Sequence, residues 1–331
     1  MKKTPFPKHL LQATRYFADP DVCVDFVAAM RWPNGAVCPH CSGSKVSYLS
    51  TRRIWKCMNK DCHKQFSVKT GSVFEDSPIP LDKWLIAVWL VVNCKNGVSS
   101  YEIMRHLKVT QKSAWFMLHR IRLALREGDW GKLGGSDGGP VEMDETFIGG
   151  KVGNMHKAKR PRGPGISGRP TGAAAKTIVV GMLERNGRVR AEVVMDRTQP
   201  ILHALMRKHL AGGATLITDE WRAYQGTDFQ HEIINHADAY VRDLVHTNGI
   251  ENFWSLLKRG LNGTYVSVEP FHLFRYIDEQ AYRYNNRATK DNPLDDGDRF
   301  MGAVSQIAGK RLTYRELTGK EAETSSPALS A

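Results

Sequence analysis

Two aspartates and one glutamate in this chain have the type and setting that metal-dependent chemistry needs. Asp144 lies in the strand-like run Val141-Glu142-Met143-Asp144-Glu145-Thr146-Phe147-Ile148, and Asp219 closes the apolar run Thr215-Leu216-Ile217-Thr218. Glu251 opens a helix-like segment that continues to Lys258. Carboxylate oxygens are hard ligands suited to Mg2+ or Mn2+. Two such ions, held by a carboxylate in a strand, another at a strand end and a third on a helix, can clamp the attacking and leaving oxygens of a phosphodiester. The expected chemistry is cutting or joining nucleic acid. Glu142 and Glu145 flank Asp144 and are rival ligands for the first position.

A second set of residues is suited to a different metal. Of six cysteines, four form two close pairs, Cys38-Pro39-His40-Cys41 and Cys57-Met58-Asn59-Lys60-Asp61-Cys62. In a reducing compartment such pairs read as one tetrahedral structural Zn2+ site. Four thiolates close it, which leaves His40 and His63 as solvent-facing neighbours. Val46 to Leu49 and Ile54 to Lys56 form a hairpin around Arg52-Arg53, and Gln65 to Val68 a third strand. That is a zinc ribbon, in which the metal stands in for a core too small to build. Cys94, at the end of an apolar helix, is a packed thiol.

Charge points to the same class of partner. The 331 residues carry a formal net charge of +13, which favours a polyanion such as nucleic acid. The longest apolar run, Trp84 to Val92, is too short to span a bilayer, and the N-terminus has no apolar leader. A cytoplasmic protein without membrane association is expected.

Around these residues the chain must supply positioning elements. Residues 80–127 read as three helices, with Pro80 in a first turn, Gly97 as a C-terminal cap, a Ser99/Glu102 capping box and Thr110 capping the last helix. Ala114, Met117, Leu118, Ile121 and Leu125 form that helix's apolar stripe, and Gln111, Lys112, Trp115, His119, Arg120 and Arg122 lie outside it. The pair reads as a helix-turn-helix, with Gln111, Lys112 and Arg120 as candidate DNA contacts. A glycine-rich linker follows at 129–140.

Strand patterns then take over at 141–148, 177–184 and 188–195, the last two joined by Asn186-Gly187, a hairpin signal. A helix from about 198 to 210 leads to the strand ending at Asp219. This order predicts an α/β core, a ribonuclease-H-like mixed sheet flanked by helices. Between the first two strands, residues 151–176 contain Lys157, Lys159, Arg160 and Arg162 and no acid. That loop is expected to order on DNA phosphates. On the later helix, Ile250, Phe253, Trp254 and Leu257 form a buried stripe, and Glu251 and Lys258 lie within roughly 20° of each other around the axis. Metal holding by Glu251 and phosphate gripping by Lys258 compete there with an ordinary surface Glu and an unrelated Lys.

The ribbon, Gln65-Phe66-Ser67-Val68 leading to Thr70-Gly71-Ser72-Val73-Phe74, Asp144-Glu145-Thr146, Thr218-Asp219-Glu220-Trp221 with Tyr224, and Glu251-Asn252-Phe253-Trp254-Ser255-Leu256-Leu257-Lys258-Arg259-Gly260 together resemble the zinc-ribbon branch of bacterial insertion-sequence DDE transposases. Tyr276, Glu279, Tyr282, Arg283, Tyr284, Asn285 and Arg287 match that family's later helix. The resemblance spans roughly residues 20 to 300. It implies that Asp144, Asp219 and Glu251 hold two catalytic Mg2+ or Mn2+ ions, with Lys258 as the basic residue after the third acid. It implies binding of terminal inverted repeats, cleavage and strand transfer on double-stranded DNA, both element ends and target, by a homo-oligomer in a bacterial, nucleoid-associated setting. The second cysteine pair departs from the family's commoner two-residue spacing. Two other classes remain open, a non-catalytic zinc-ribbon regulator derived from a transposase and a nuclease that only hydrolyses.

The expected organisation is a helical segment at 1–35, the ribbon at 36–78, the helix-turn-helix at 79–128, the linker, a catalytic domain at 141–305 and a tail at 306–331.

Overall fold

The computed structural model describes residues 5–126, 128, 131–135, 138–150, 176–234, 246–290 and 292–319. The chain forms two compact units, Met1–Arg126 with Asn286–Ala331, and Glu127–Asn285.

In the first unit α1 (Leu10–Tyr16) and α2 (Pro20–Arg31) precede the ribbon. Asp19 caps α2 through the Asp21 amide, and Pro20 occupies the first helical position, where a missing N–H costs nothing. The ribbon is a three-stranded antiparallel sheet of β1 (Val46–Leu49), β2 (Ile54–Cys57) and β3 (Gln65–Phe66). Its small core is aromatic as well as cysteine-lined, because Trp32 from the end of α2 packs edge-on to Trp55 at 5.3 Å and to Phe66 at 5.8 Å.

Helices α3 (Leu81–Asn93), α4 (Ser100–Leu107) and α5 (Gln111–Leu125) follow, with both bonds of the Ser99/Glu102 capping box formed and Thr110 capping α5. Helix α3 buries Trp84, Leu85, Val88 and Trp89, as its apolar composition requires. The stripe expected for α5 is buried too. Nor is the whole of its expected polar side left to solvent. His119, Arg120 and Arg122 are also buried, so the helix is enclosed around much of its circumference. A guanidinium can be buried here because aromatic faces and a carbonyl receive it: Arg120 donates to the Glu75 carbonyl and lies over Trp84 and Phe116, at 5.4 and 5.3 Å. Burial pulls its pKa down to about 10.

After residue 285 the chain returns to this unit, where a domain boundary at 305 was expected. Helix α9 (Asp296–Ser305) is opened by a capping box between Asp295 and Asp298. Its Phe300 is wholly buried within 5.5 Å of Phe17, 5.7 Å of Phe26 and 5.1 Å of Trp89. Val304 and Ile307 are buried as well. A last short helix, α10 (Tyr314–Leu317), places Tyr314 beneath the Lys112 ammonium at 4.5 Å.

The second unit is built on a five-stranded mixed sheet in the order β6-β5-β4-β7-β8. Strands β4 (Val141–Ile148), β5 (Thr177–Glu184) and β6 (Val189–Val194) are antiparallel neighbours, and β7 (Thr215–Thr218) and β8 (Gln230–Ile233) run parallel to β4. The β5–β6 turn uses Asn186 at φ 58°, a left-handed conformation that Asn tolerates. Helix α6 (Gln199–His209) packs Leu202, Leu205 and Met206 into one core cluster with Val141, Met143 and Leu216. Helix α7 (Asn248–Gly260) and α8 (Leu273–Asn285) make a second cluster with Val179, Leu183 and Val189. Ile250, Phe253, Trp254 and Leu257 are the buried face of α7, as their spacing predicts.

Candidate active site and zinc centre

Three carboxylates on β4 meet three different fates, set by the partners that reach them. Glu142 is buried, with 1% of its side chain exposed, and is committed to structure. Arg185 pairs with it at 3.0 Å, the Ile250 amide in the first turn of α7 donates to it at 2.9 Å, and His246 Nδ1 lies 3.5 Å away. Glu145, on the opposite face, receives Arg197 Nη1 at 2.7 Å and the Tyr224 hydroxyl. Asp144 has no cationic partner among the described residues; the Trp254 indole N–H donates to its Oδ2 at 2.9 Å.

The register of the parallel pair decides what Asp144 faces. Val141 is level with Leu216 and Glu142 with Ile217, so continuing two residues sets Asp144 beside Asp219. Asp219, just beyond the end of β7, accepts a hydrogen bond from the Trp221 amide at 3.0 Å and has no cationic partner among the described residues. Burial, then the charge of Glu145, then that of Asp219 push Asp144 up to about 6, against the bonds from the Glu145 backbone and Trp254 that favour its anion. Tyr224, buried beside Glu145 and within the field of Asp144 and Asp219, is pushed well above the usual phenol range, chiefly by burial. Two carboxylates without a cationic partner among the described residues, with the neighbouring glutamates already paired, fit a divalent cation.

Asp144, Asp219 and Glu251 do not all bring carboxylate oxygens within 4.8 Å of one another. Among the described residues the thiol set below is the one group of three or more metal-ligating side chains whose ligand atoms converge within 4.8 Å. Glu251 is exposed on the first turn of α7 and accepts the Thr247 hydroxyl at 3.1 Å; Lys258 is exposed two turns further along. Beside Asp219, the exposed Trp221 ring lies 3.9 Å from the Arg197 guanidinium.

The four thiols are Cys38, Cys41, Cys57 and Cys62. Sγ separations are 3.8 Å for Cys38–Cys62 and 3.6 Å for Cys41–Cys57. A tetrahedron with Zn–S bonds of about 2.3 Å has edges of about 3.8 Å, so the sulfurs are spaced for zinc. The longer second knuckle is absorbed by a turn in which Cys62 and His63 amides donate to the Asn59 carbonyl, and His63 takes φ 49°. Asn59 also donates to Cys41 at 3.4 Å, passing so close to Gly43 that a Cβ there would lie 2.1 Å from its amide nitrogen. The Gly43 backbone amide holds Cys41 down to about 7.

Comparison with known proteins agrees with this division. A sequence model of the transposase zinc-ribbon domain matches residues 19–65, and one of the ISXO2-like transposase domain matches residues 136–285. A protein of the transposable element ISH50 from Halobacterium salinarum is 30% identical over 247 residues, 72% of this chain and 82% of that protein. The chain belongs to the insertion-sequence transposases with an N-terminal zinc ribbon. A transposase-like protein of Haemophilus influenzae is also similar, 29% identical over 106 residues that cover 31% of this transposase and 85% of that protein. The domain match ends at 285, where the transposase leaves its second unit.

Of the other predicted contacts, Lys112 is exposed, Gln111 is half-buried and bonds to the Ser100 hydroxyl at 3.0 Å, and Arg120 is enclosed in the first unit. Lys157, Lys159, Arg160 and Arg162 lie outside the described residues. Sequence reasoning missed Trp254 as a donor to Asp144, Gly181 opposite Asp144, and the partners Arg185 and Arg197. Gly181, a glycine inside an apolar strand, was the available signal for a close approach.

Proposed function

We propose that this transposase cleaves the ends of its element and joins them to target DNA by metal-assisted phosphoryl transfer, with Asp144, Asp219 and Glu251 as the acidic set. The observation that carries the reading is the parallel register of β4 and β7, which continued two residues past its last pair sets Asp144 beside Asp219, both without a cationic partner among the described residues. The sheet order, three antiparallel strands followed by two parallel ones with helices packed against them, supports assignment to the ribonuclease-H-like class.

Asp144 and Asp219 would hold Mg2+ or Mn2+, and Glu251 would complete the set through its own oxygens or through water. Bound there, two cations supply charge stabilisation for an in-line displacement at phosphorus. Asp144 and Asp219 orient the reacting phosphate, and the exposed Lys258 grips a phosphate oxygen as a point charge. Glu142 and Glu145 act as structural anions, because Arg185 and Arg197 already satisfy them. The ribbon and helices α4 and α5, read as a helix-turn-helix, recognise terminal repeats. Two ends have to be joined, so the working form is an oligomer on DNA.

The test uses purified full-length protein, element-end DNA and each metal in turn. Asp144→Asn is expected to keep end binding and lose both nicking and joining, since both steps use the same ions. Wild-type nicking by Asp144→Asn in Mg2+ would remove Asp144 from the site. Nicked ends without joined products would reduce the activity to hydrolysis.

A further inference from the structure

Asp144 and Glu142 are two residues apart on β4 and therefore share a face, and both are gripped by α7. Ile250 donates its amide to Glu142, and Trp254, one helical turn on, donates its indole N–H to Asp144, each at 2.9 Å. The helix that carries Glu251 is thus fixed to the strand that carries Asp144 at two points flanking Glu251 in sequence. Room for this arrangement comes from the neighbouring strand. Gly181 is the register partner of Asp144 on β5, and a Cβ at that position would lie 2.6 Å from two atoms of the Trp254 ring and 2.8 Å from Ile250 Cδ1. Its strand neighbours are Val180 and Met182, so the glycine is an isolated interruption of an apolar run. A strand interior loses both packing and conformational restriction at a glycine, which makes close approach by the indole the physical reason for it here.

We propose that Trp254 is a positioning residue for the reaction described above, its indole N–H fixing the rotation of the Asp144 carboxylate toward the cation, with Gly181 as the space that admits the ring. This rests on the assignment of Asp144 to the metal site. A rotating carboxylate would have to be ordered each time a cation binds, whereas a hydrogen-bonded one is already oriented. Groups that hold a ligand in this way typically contribute about 10–100-fold in metal affinity or activity. A ring that served packing alone would need no donor aimed at a carboxylate.

Trp254→Phe keeps an aromatic ring in the α7 stripe and removes the N–H. Gly181→Ala leaves the indole intact and pushes it from its place. Mn2+ binding to the full-length protein, followed by electron paramagnetic resonance without DNA, reads metal affinity separately from catalysis, with thermal unfolding and end-DNA binding as controls. Trp254→Phe is expected to stay folded, bind end DNA as wild type does, and weaken the Asp144-dependent Mn2+ site about tenfold, with a matching rise in the Mn2+ needed for half-maximal nicking. Gly181→Ala should do the same. The two together should lose less than the sum of the separate losses, because a smaller ring leaves room for the methyl group. Unchanged Mn2+ affinity and nicking in Trp254→Phe would overturn the proposal, as would Mn2+ binding by wild type that does not depend on Asp144. If wild type binds Mn2+ through Asp144 and Trp254→Phe weakens it, but no cleavage is found, the positioning role stands and the cleavage reading fails.

Discussion

Asp144→Asn should make the metal-free transposase more stable while disabling it. In the folded chain burial and the charge of Glu145, with a smaller push from Asp219, raise this carboxyl from 3.8 to about 6. A difference of roughly two pK units corresponds to about 3 kcal/mol against the ionised form. Asn removes that charge and can still accept the indole N–H through its amide oxygen, but its NH2 needs a partner of its own. Partial solvent access and that added donor reduce the net gain to about 1–2 kcal/mol. The folded-state pKa lies above the unfolded one, so the wild-type penalty is absent below about pH 4, grows through the window from about 4 to 6 and is complete above it. Near pH 8 without added Mg2+ or Mn2+ the variant should therefore melt roughly 2–8 °C higher than wild type. That advantage should shrink as the pH falls through the window. Adding Mg2+ should then raise the melting temperature of wild type and leave the variant unmoved, since binding to the native state alone stabilises it. An Asn variant less stable than wild type near pH 8, or one whose gain is the same at about pH 4 and about pH 8, would refute the electrostatic reasoning.

Glu142→Gln should show the opposite sign, costing about 3 kcal/mol by removing the charge that Arg185 pairs with in a largely enclosed site and lowering the melting temperature by roughly 6–12 °C. Comparison with Asp144→Asn in one thermal series separates the paired anion from the one proposed to hold a cation. Reduced, folded protein should contain one zinc per chain by metal analysis, and Cys41→Ser should unfold the ribbon and weaken end binding while circular dichroism of the remaining sheet persists. Replacing Lys157, Lys159, Arg160 and Arg162 together with Ala should weaken binding to all DNA sequences alike. The log–log salt dependence should flatten by about 0.9 for each phosphate that is no longer neutralised, measured by titration at several salt concentrations.

Much of the architecture was legible because its signals are local. The ribbon strands, the Ser99 and Thr110 caps, the Asn186-Gly187 turn and the stripe of α7 each depend on residues a few positions apart, and the structure has them where spacing put them. Strand β8 was not legible. Gln230-His231-Glu232-Ile233 is a short edge strand with mostly polar side chains, and its pairing with β7 has no local signature. Helical periodicity also failed at Arg120, because it assigns cations to solvent and is blind to the Glu75 carbonyl and the Trp84 ring arriving from elsewhere in the chain. For the candidate site, the three acids could be chosen as residues, but which of Glu142, Asp144 and Glu145 is available to a cation depends on Arg185, Arg197 and Tyr224, all distant in sequence. The same holds for the domain boundary, which Phe300 moves by packing against residues nearly the full chain length away.

That return of the chain to its first unit has a consequence for synthesis on the ribosome. Folding of most multidomain chains proceeds from the N-terminus as each domain emerges. Here the first unit lacks Phe300, Val304, Ile307, Leu312 and Leu317 of its core until residues beyond 295 have been made. The sheet unit, complete at residue 285, can close before the unit that precedes it in sequence. A chain released at 285 would carry every acidic residue of the candidate site and an unfinished zinc-ribbon unit. The unit that begins first in sequence is thus the last to complete its core.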